Sequence, residues 1–303
     1  MQRSKTYRFV YFDRCNMCCS TTEQVFLGQR LDHRQGWWPK NRPGITTPIF
    51  QCRACDLIYS NPMPVPQELG QHYDVAPEDY WSNPHSEATR DYFADQIAMY
   101  IRLSKRDPHA CTALDIGAGV GNGMVALGQA GFEVCGLEPS LSFRRAAIER
   151  LGIPPSRLTL GSVENADFPP KSFDFISFSA VLEHLADPAE ALRKTVIWLK
   201  PDGLMYVEVP SSAFLLSRLV RLFYRLTGAN HVINTCPMHA PYHLYEFGLK
   251  SFEKHGPGAG YALAFHEYYP CAAYMARWLV RPFNAVMKRT DTGMQLAVWL
   301  RKL

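Results

Sequence analysis

Leu114-Asp115-Ile116-Gly117-Ala118-Gly119-Val120-Gly121-Asn122-Gly123 decides how this chain folds. Ala113, Leu114 and Ile116 read as the end of a short buried strand. Gly117, Gly119 and Gly121 remove side chains where the backbone must turn sharply and approach a ligand closely. From Met124 to Leu127 the pattern becomes helical, and Gly131 ends the helix. A second strand, Phe132 to Leu137, closes on Glu138. An acidic residue about 20 positions after such a loop is where a ribose hydroxyl pair can be gripped. Strand, glycine turn, helix, strand and acid together make the nucleoside-binding half of an α/β sheet.

The loop chemistry narrows the nucleoside. A dinucleotide fingerprint wants G-x-G-x-x-G, and counting from Gly117 the last glycine falls on Asn122. No Gly-Lys-Ser/Thr follows, which excludes a P-loop. The acid that opens the loop, Asp115, repels a pyrophosphate but suits a ligand carrying an ammonium group. Asp115-Ile-Gly-Ala-Gly-Val-Gly121 with Glu138 resembles the cofactor site of class I S-adenosylmethionine-dependent methyltransferases. That resemblance implies a Rossmann-like, seven-stranded, doubly wound α/β sheet. It also implies that Asp115, Gly117, Gly119 and Gly121 cradle the methionine end of S-adenosylmethionine while Glu138 holds the ribose. In that family an aspartate commonly holds the adenine amino group where this chain has Ser162 in Gly161-Ser162-Val163-Glu164. Ser162 can accept one hydrogen bond there and the Val163 backbone can supply another.

Length and composition set the outer bounds. At 303 residues the chain has room for one or two domains, and 47% hydrophobic with 20% charged residues is ordinary for a globular chain with a sizeable core. A net charge of +4 without a dense Lys/Arg run argues against nucleic acid as the main partner. No apolar leader region opens the chain, and no run of about 18 apolar residues occurs. The expectation is therefore a cytoplasmic protein with no membrane span. Nine cysteines then point to metal binding rather than disulfides.

Four of those cysteines form Cys15-x-x-Cys18 and Cys52-x-x-Cys55. Two such pairs supply four thiolates to one tetrahedral structural zinc, with no open position for catalysis. Cys19 adjoins Cys18, and the pair spacing favours Cys18. The segment between the pairs contains Gly36, Trp37, Trp38, Pro39, Pro43 and Gly44 and has little periodicity, so a metal would supply stability that its core cannot. The run from Asp56 through Asn61-Pro62-Met63-Pro64 to Tyr73 resembles the N-terminal zinc-ribbon module fused to many bacterial methyltransferases. Domains are thus expected at 1–75 (small zinc-binding domain), 76–110 (linker helix) and 111–303, with lid insertions at about 211–250 and 271–290. The linker helix reads as Ser86 to Lys105, and Tyr73, Tyr80 and Trp81 pack on the main domain or touch substrate.

Further strands are expected at Leu158 to Leu160, Phe173 to Phe178, Leu204 to Val209, Tyr261 to Tyr269 and Met294 to Leu300. The fourth strand opens into Val181-Leu182-Glu183-His184-Leu185-Ala186-Asp187-Pro188, a run similar to that of small-molecule class I methyltransferases. Ligands of doubly wound sheets sit at the carboxyl ends of strands, which places Glu183 and His184 near the transferred methyl group. His184 is the leading candidate base, because an unperturbed histidine titrates near neutrality. Glu183 would orient a histidine or bind substrate hydroxyls. His239 and His243, in a Pro-x-His stretch that similar enzymes place over the substrate pocket, stand behind His184. Positioning and a base contribute roughly 7–11 kcal/mol and about 10²–10⁴-fold respectively.

Helix Phe214 to Leu226 carries Leu215, Leu219, Leu222 and Leu226 on one face and Arg218, Arg221 and Arg225 on another. It reads as a surface helix, or as a lid or peripheral membrane contact facing an anionic or lipid-linked substrate. Ala272 to Lys288 reads as a further helix, a dimer or lid element, so a homodimer is allowed. The resulting expectation is methyl transfer to a small hydroxylated metabolite, such as a sugar or sugar-lipid. Two alternatives stand beside it. One is an RNA methyltransferase using the ribbon's Arg30, Arg34, Lys40, Arg42 and Arg53, although no Asn-Pro-Pro-Tyr-like motif follows the fourth strand. The other is a non-catalytic cofactor-binding scaffold.

Overall fold

The computed structural model describes residues 7–31, 46–67, 77, 92–238, 241–271 and 277–303. The N-terminal part contributes β1 (Tyr7–Val10), β2 (Gln24–Arg30), β3 (Thr47–Cys52), β4 (Ile58–Ser60) and β5 (Met63–Pro66). β1 pairs with β5, β2 with β3 and β3 with β4, all antiparallel. Each Cys-x-x-Cys closes a tight turn, with Cys19 N donating to Cys15 O and Asp56 N to Cys52 O. The turns aim the paired sulfurs inward, while Cys19 is exposed.

A helix α1 (Ala94–Ser104) follows. It is shorter than the expected Ser86 to Lys105 helix. Phe93 precedes it at φ 64, a left-handed conformation that breaks any continuous helix through Tyr92 and Phe93. The Phe93 ring instead sits edge-on to Tyr206 at 5.9 Å. Ser86, Tyr73, Tyr80 and Trp81 lie outside the described residues.

The main domain alternates strand and helix, as its apolar periodicity requires. In chain order it has β6 (Thr112–Ile116), α2 (Asn122–Gln129), β7 (Glu133–Glu138), α3 (Leu141–Leu151), β8 (Leu158–Leu160), β9 (Phe173–Ser179), α4 (Pro188–Trp198) and β10 (Leu199–Pro210). Then come α5 (Leu215–Leu226), β11 (Tyr245–Glu246), α6 (Leu249–Ala259), β12 (Tyr261–Tyr269), α7 (Arg277–Thr290) and β13 (Gln295–Lys302). Local chemistry sets the helix ends. Ser140 Oγ accepts from Phe143 N at 3.3 Å at the start of α3, and Gly152 ends that helix at φ 66. Asp187 Oδ1 accepts from Glu190 N at 2.9 Å, with Pro188 in the first turn of α4.

Seven strands form one sheet in the order β12-β13-β10-β9-β6-β7-β8. β8, β7, β6, β9 and β10 run parallel, and β13 is antiparallel to both β10 and β12. Covered by helices, the central strands are apolar almost throughout; six of the seven residues of β9 are buried. The strand order reverses between β6 and β9, so the loops after those two strands flank a crevice at the carboxyl end of the sheet.

The segment following α5 joins the two parts. Its short strand, β11, pairs with β4 in the N-terminal part. The small sheet is therefore β11-β4-β3-β2. Cys15, Cys52, Leu57 and Tyr59 share one hydrophobic core with Leu114, Phe178, Tyr245 and Phe247. Sequence separation hid this pairing, because a two-residue strand has no periodicity of its own. Among the described residues, no helix is long and apolar enough to cross a membrane.

Candidate active site

The glycine loop leaves β6 with Gly117 at φ +68 and Gly121 at φ +91. A Cβ at Gly117 would lie 2.5 Å from Val181 Cγ2, and one at Gly121 would collide with Ile153 Cδ1. Both positions thus need glycine for backbone angle and for space. Glu138, at the end of β7, ties the loop down. Its Oε2 accepts from Gly119 N at 2.7 Å and its Oε1 from Ser140 N at 2.8 Å. Burial pushes the Glu138 carboxyl up to about 7 against those two hydrogen bonds.

The crevice is a cavity of about 820 Å³. Gly117, Gly119, Glu138, Ser162 and Val163 line it, as do His184 and His243. Ser162 Oγ is buried with no hydrogen-bond partner among the described residues, a polar atom left for a ligand. Asp115 and Gly121 lie elsewhere. Asp115 sits under the loop, where its Oδ1 accepts from Ser177 Oγ at 2.6 Å and burial raises its carboxyl to about 6. Gly121 packs against Ile153 and Ala147. Both shape the loop from behind rather than facing the cavity.

Glu183 and His184 occupy a single 3-10 turn, Leu182–His184, just beyond β9. The segment before β11 is laced to this turn: Leu244 N donates to Glu183 O, and His184 Nδ1 lies 3.2 Å from Tyr242 O. Backbone hydrogen bonds to Tyr242 and Ala180 hold the His184 ring in place. This lacing brings His243 beside His184, the rings edge-on at 5.1 Å. Glu183 Oε1 lies 4.0 Å from His184 Nε2 and 3.7 Å from His243 Nε2. The Glu183 side chain is fully buried, and both of its oxygens lack a hydrogen-bond partner among the described residues. His239 lies outside the described residues.

Burial sets the protonation of this cluster. It pushes the Glu183 carboxyl up to about 8, with a smaller addition from Glu208. It pulls His184 down to about 4, and it holds His243 well below the ordinary histidine value. All three groups are thus neutral near pH 7, which corrects the expectation of a histidine titrating near neutrality.

Two residues of the cavity wall escaped sequence reasoning. Arg30 of β2 lines it while buried, its Nη1 donating to Val232 O at 3.4 Å. Glu246 of β11 also lines it, accepting from Asn234 Nδ2 at 2.7 Å and Thr235 N at 3.0 Å. No local signal marks either residue; the pairing of β11 with β4 brings them together. Arg30 is therefore an interior residue rather than part of an exposed RNA-binding face. Arg34, Lys40, Arg42, Trp37 and Trp38 lie outside the described residues.

Donor atoms of Cys15, Cys18, Cys52 and Cys55 lie within 4.8 Å of one another, as do those of Glu183, His184 and His243. Cys15 and Cys55 Sγ are 3.4 Å apart and Cys18 and Cys52 Sγ 3.6 Å. Four thiolates about 2.3 Å from a central zinc would be separated by nearly that much, so the donor set fits the ion.

Residues 88–263 match the methyltransferase-domain family. The chain belongs to that family. It is 33% identical over 129 residues to a protein named ubiquinone biosynthesis O-methyltransferase from Bradyrhizobium diazoefficiens, covering 41% of this chain and 47% of that one. A protein of the same name from Stutzerimonas stutzeri is 26% identical over 145 residues, covering 45% and 60%. The match thus spans about half the length of these relatives. Among solved structures, an S-adenosylmethionine-dependent methyltransferase from Mesorhizobium loti is similar with a TM-score of 0.49 and 16% identity, over 69% of this chain and 97% of that one.

Proposed function

We propose that this methyltransferase-family chain moves a methyl group from S-adenosylmethionine to a hydroxyl oxygen of a small, largely apolar acceptor. The observation that carries this reading is one cavity lined by Glu138 and the glycine loop together with the His184–His243 pair. S-adenosylmethionine, when bound, supplies an electrophilic methyl carbon on a sulfonium. Gly117 and Gly119 would lie along its methionine end, Glu138 would accept from the ribose hydroxyls, and Ser162 and Val163 would face the adenine.

The chain's own work is then to align the acceptor and take its proton. His184, held by backbone hydrogen bonds to Tyr242 and Ala180, is the candidate acceptor of that proton. Glu183 and His243 stand beside it in the same cluster. A positioned base of this kind contributes about 10²–10⁴-fold. Exclusion of water by the buried turn strengthens each of these interactions.

Several observations favour an oxygen acceptor with an apolar body. The two named relatives are O-methyltransferases. Ile116, Leu137, Val181, Phe143, Phe214 and Met294 give the cavity an apolar surface against which an apolar acceptor body would pack, beside polar groups such as Arg30, Glu246 and Gln295 that would orient it. Cys15, Cys18, Cys52 and Cys55 would hold one structural zinc, which braces the sheet that β11 completes and so the wall carrying Arg30 and Glu246.

The test is transfer of label from methyl-tritiated S-adenosylmethionine to a panel of phenols, catechols and sugar nucleotides, with Glu138→Ala and His184→Ala as controls. Transfer to a phenolic oxygen that both variants lose is the expected result. Transfer confined to sugar nucleotides would overturn the apolar-acceptor reading, and label in RNA would overturn the metabolite reading.

A further inference from the structure

Helix α5 is amphipathic with the usual orientation reversed. Its inward side carries Ser217, which is buried, and Tyr224, which packs edge-on against His231 at 5.6 Å. Its apolar stripe faces outward. Leu219, Leu222, Phe223 and Leu226 are all exposed, Phe223 at 62% and Leu226 at 79%. A monomeric surface helix normally buries such a stripe, and a contiguous exposed one marks a contact surface.

A second helix extends the patch. Phe214, Leu215 and Leu216 pack with Val280, Phe283 and Met287 of α7 in one small cluster. Beyond that contact, Trp278 of α7 is 77% exposed and Val286 is also exposed. Charge is one-sided on both helices. Arg218, Arg221 and Arg225 on α5 and Arg277, Arg281, Lys288 and Arg289 on α7 are accompanied by no acidic residue. That is a local excess well above the net +4 of the whole chain. Arg218 and Arg225 are exposed beside the leucine stripe.

We propose that α5 and α7 together form the docking surface for an anionic lipid bilayer. Exposed leucine, phenylalanine and tryptophan enter the headgroup boundary while the flanking arginines meet lipid phosphates and anionic headgroups. Charge complementarity selects this occupant: a second copy of the chain would bring arginine against arginine across a two-fold axis. Leu216 and Ser217 of α5 also line the cavity described above. A bilayer held against the outer face of α5 therefore lies next to the acceptor site, a consequence that rests on the proposed methyl transfer.

The test is flotation of the full-length, metal-replete protein with phosphatidylcholine vesicles, with and without phosphatidylglycerol. Binding is expected to the anionic vesicles and to weaken with salt. Leu222→Glu with Phe223→Glu, and separately Arg218→Glu with Arg225→Glu, should each weaken it by at least roughly tenfold. Both pairs are surface substitutions, so thermal unfolding and S-adenosylmethionine binding should stay unchanged. Equal partition to both vesicle types, or to neither, overturns the proposal. So does a dimer in lipid-free sedimentation that the leucine–phenylalanine pair abolishes, since a second copy then covers the face. Vesicle binding needs no methyl acceptor, and transfer to a soluble phenol needs no vesicle, so failure of either reading is visible without the other.

Discussion

Glu183→Gln should flatten the alkaline loss of stability. The substitution keeps the shape of a fully buried side chain and removes its titration. Glu183 is pushed from 4.5 to about 8 by burial. A shift of that size separates the two protonation states by roughly 5 kcal/mol. Because the folded-state value is raised, the folded chain binds the extra proton. Its contribution is fully present below the unfolded value of about 4.5 and is lost as pH rises through about 8. Between about pH 6.5 and about pH 8 this one group should cost about 2 kcal/mol of unfolding free energy, near 1.4 kcal/mol per pH unit. The assay is urea unfolding of both proteins across that range, with cofactor absent. The wild-type slope should exceed that of the variant by about one proton. Equal slopes would mean that Glu183 is ionised at neutral pH, and the neutral cluster assigned to the active site would be wrong.

Three other outcomes follow from the geometry. Glu138→Ala strands Gly119 N and Ser140 N, and should lower unfolding free energy by about 1–3 kcal/mol while weakening S-adenosylmethionine binding in calorimetry by at least roughly tenfold. Gly121→Ala forces a methyl group into Ile153 at a left-handed backbone angle; denaturant melts should show a loss of about 2–4 kcal/mol. Cys55→Ser should release zinc, measured by mass spectrometry of the purified protein, and should expose the small sheet to proteolysis. Loss of methyl transfer alongside is expected because β11 leaves its place beside β4.

The acid side has the opposite sign. His184 and His243 are held below the ordinary value of 6.5, so their unfolded forms take up protons first. Stability should fall as pH drops below about 6.5, and His184→Phe should reduce that fall in the same urea series.

Much of the fold was legible because it is local. The main-sheet strands carry their own apolar runs or alternation, and helices α3 and α4 carry their own start and stop signals, as Ser140 with Gly152 and Asp187 with Pro188 show. The glycine loop declares itself because Gly121 combines a left-handed backbone angle with Ile153 in the space a Cβ would fill. The cysteine pairs declare themselves because four thiolates at that spacing can converge within one small sheet.

What sequence order could not supply is which distant groups meet, and in what dielectric. Helix α1 begins only after Phe93, whose ring meets Tyr206, more than a hundred residues away. Arg30 and Glu246 face one cavity because β11 joins a sheet begun near the N-terminus. Asp115 opens the loop in sequence yet lies beneath it in space, held by Ser177. The chain alone determined strand, turn, helix and ligand-bearing residue types, since these follow from nearest-neighbour sterics and periodicity. Only the tertiary structure decided that Glu183, His184 and His243 share a buried site, where removal of water rather than residue identity sets their charge.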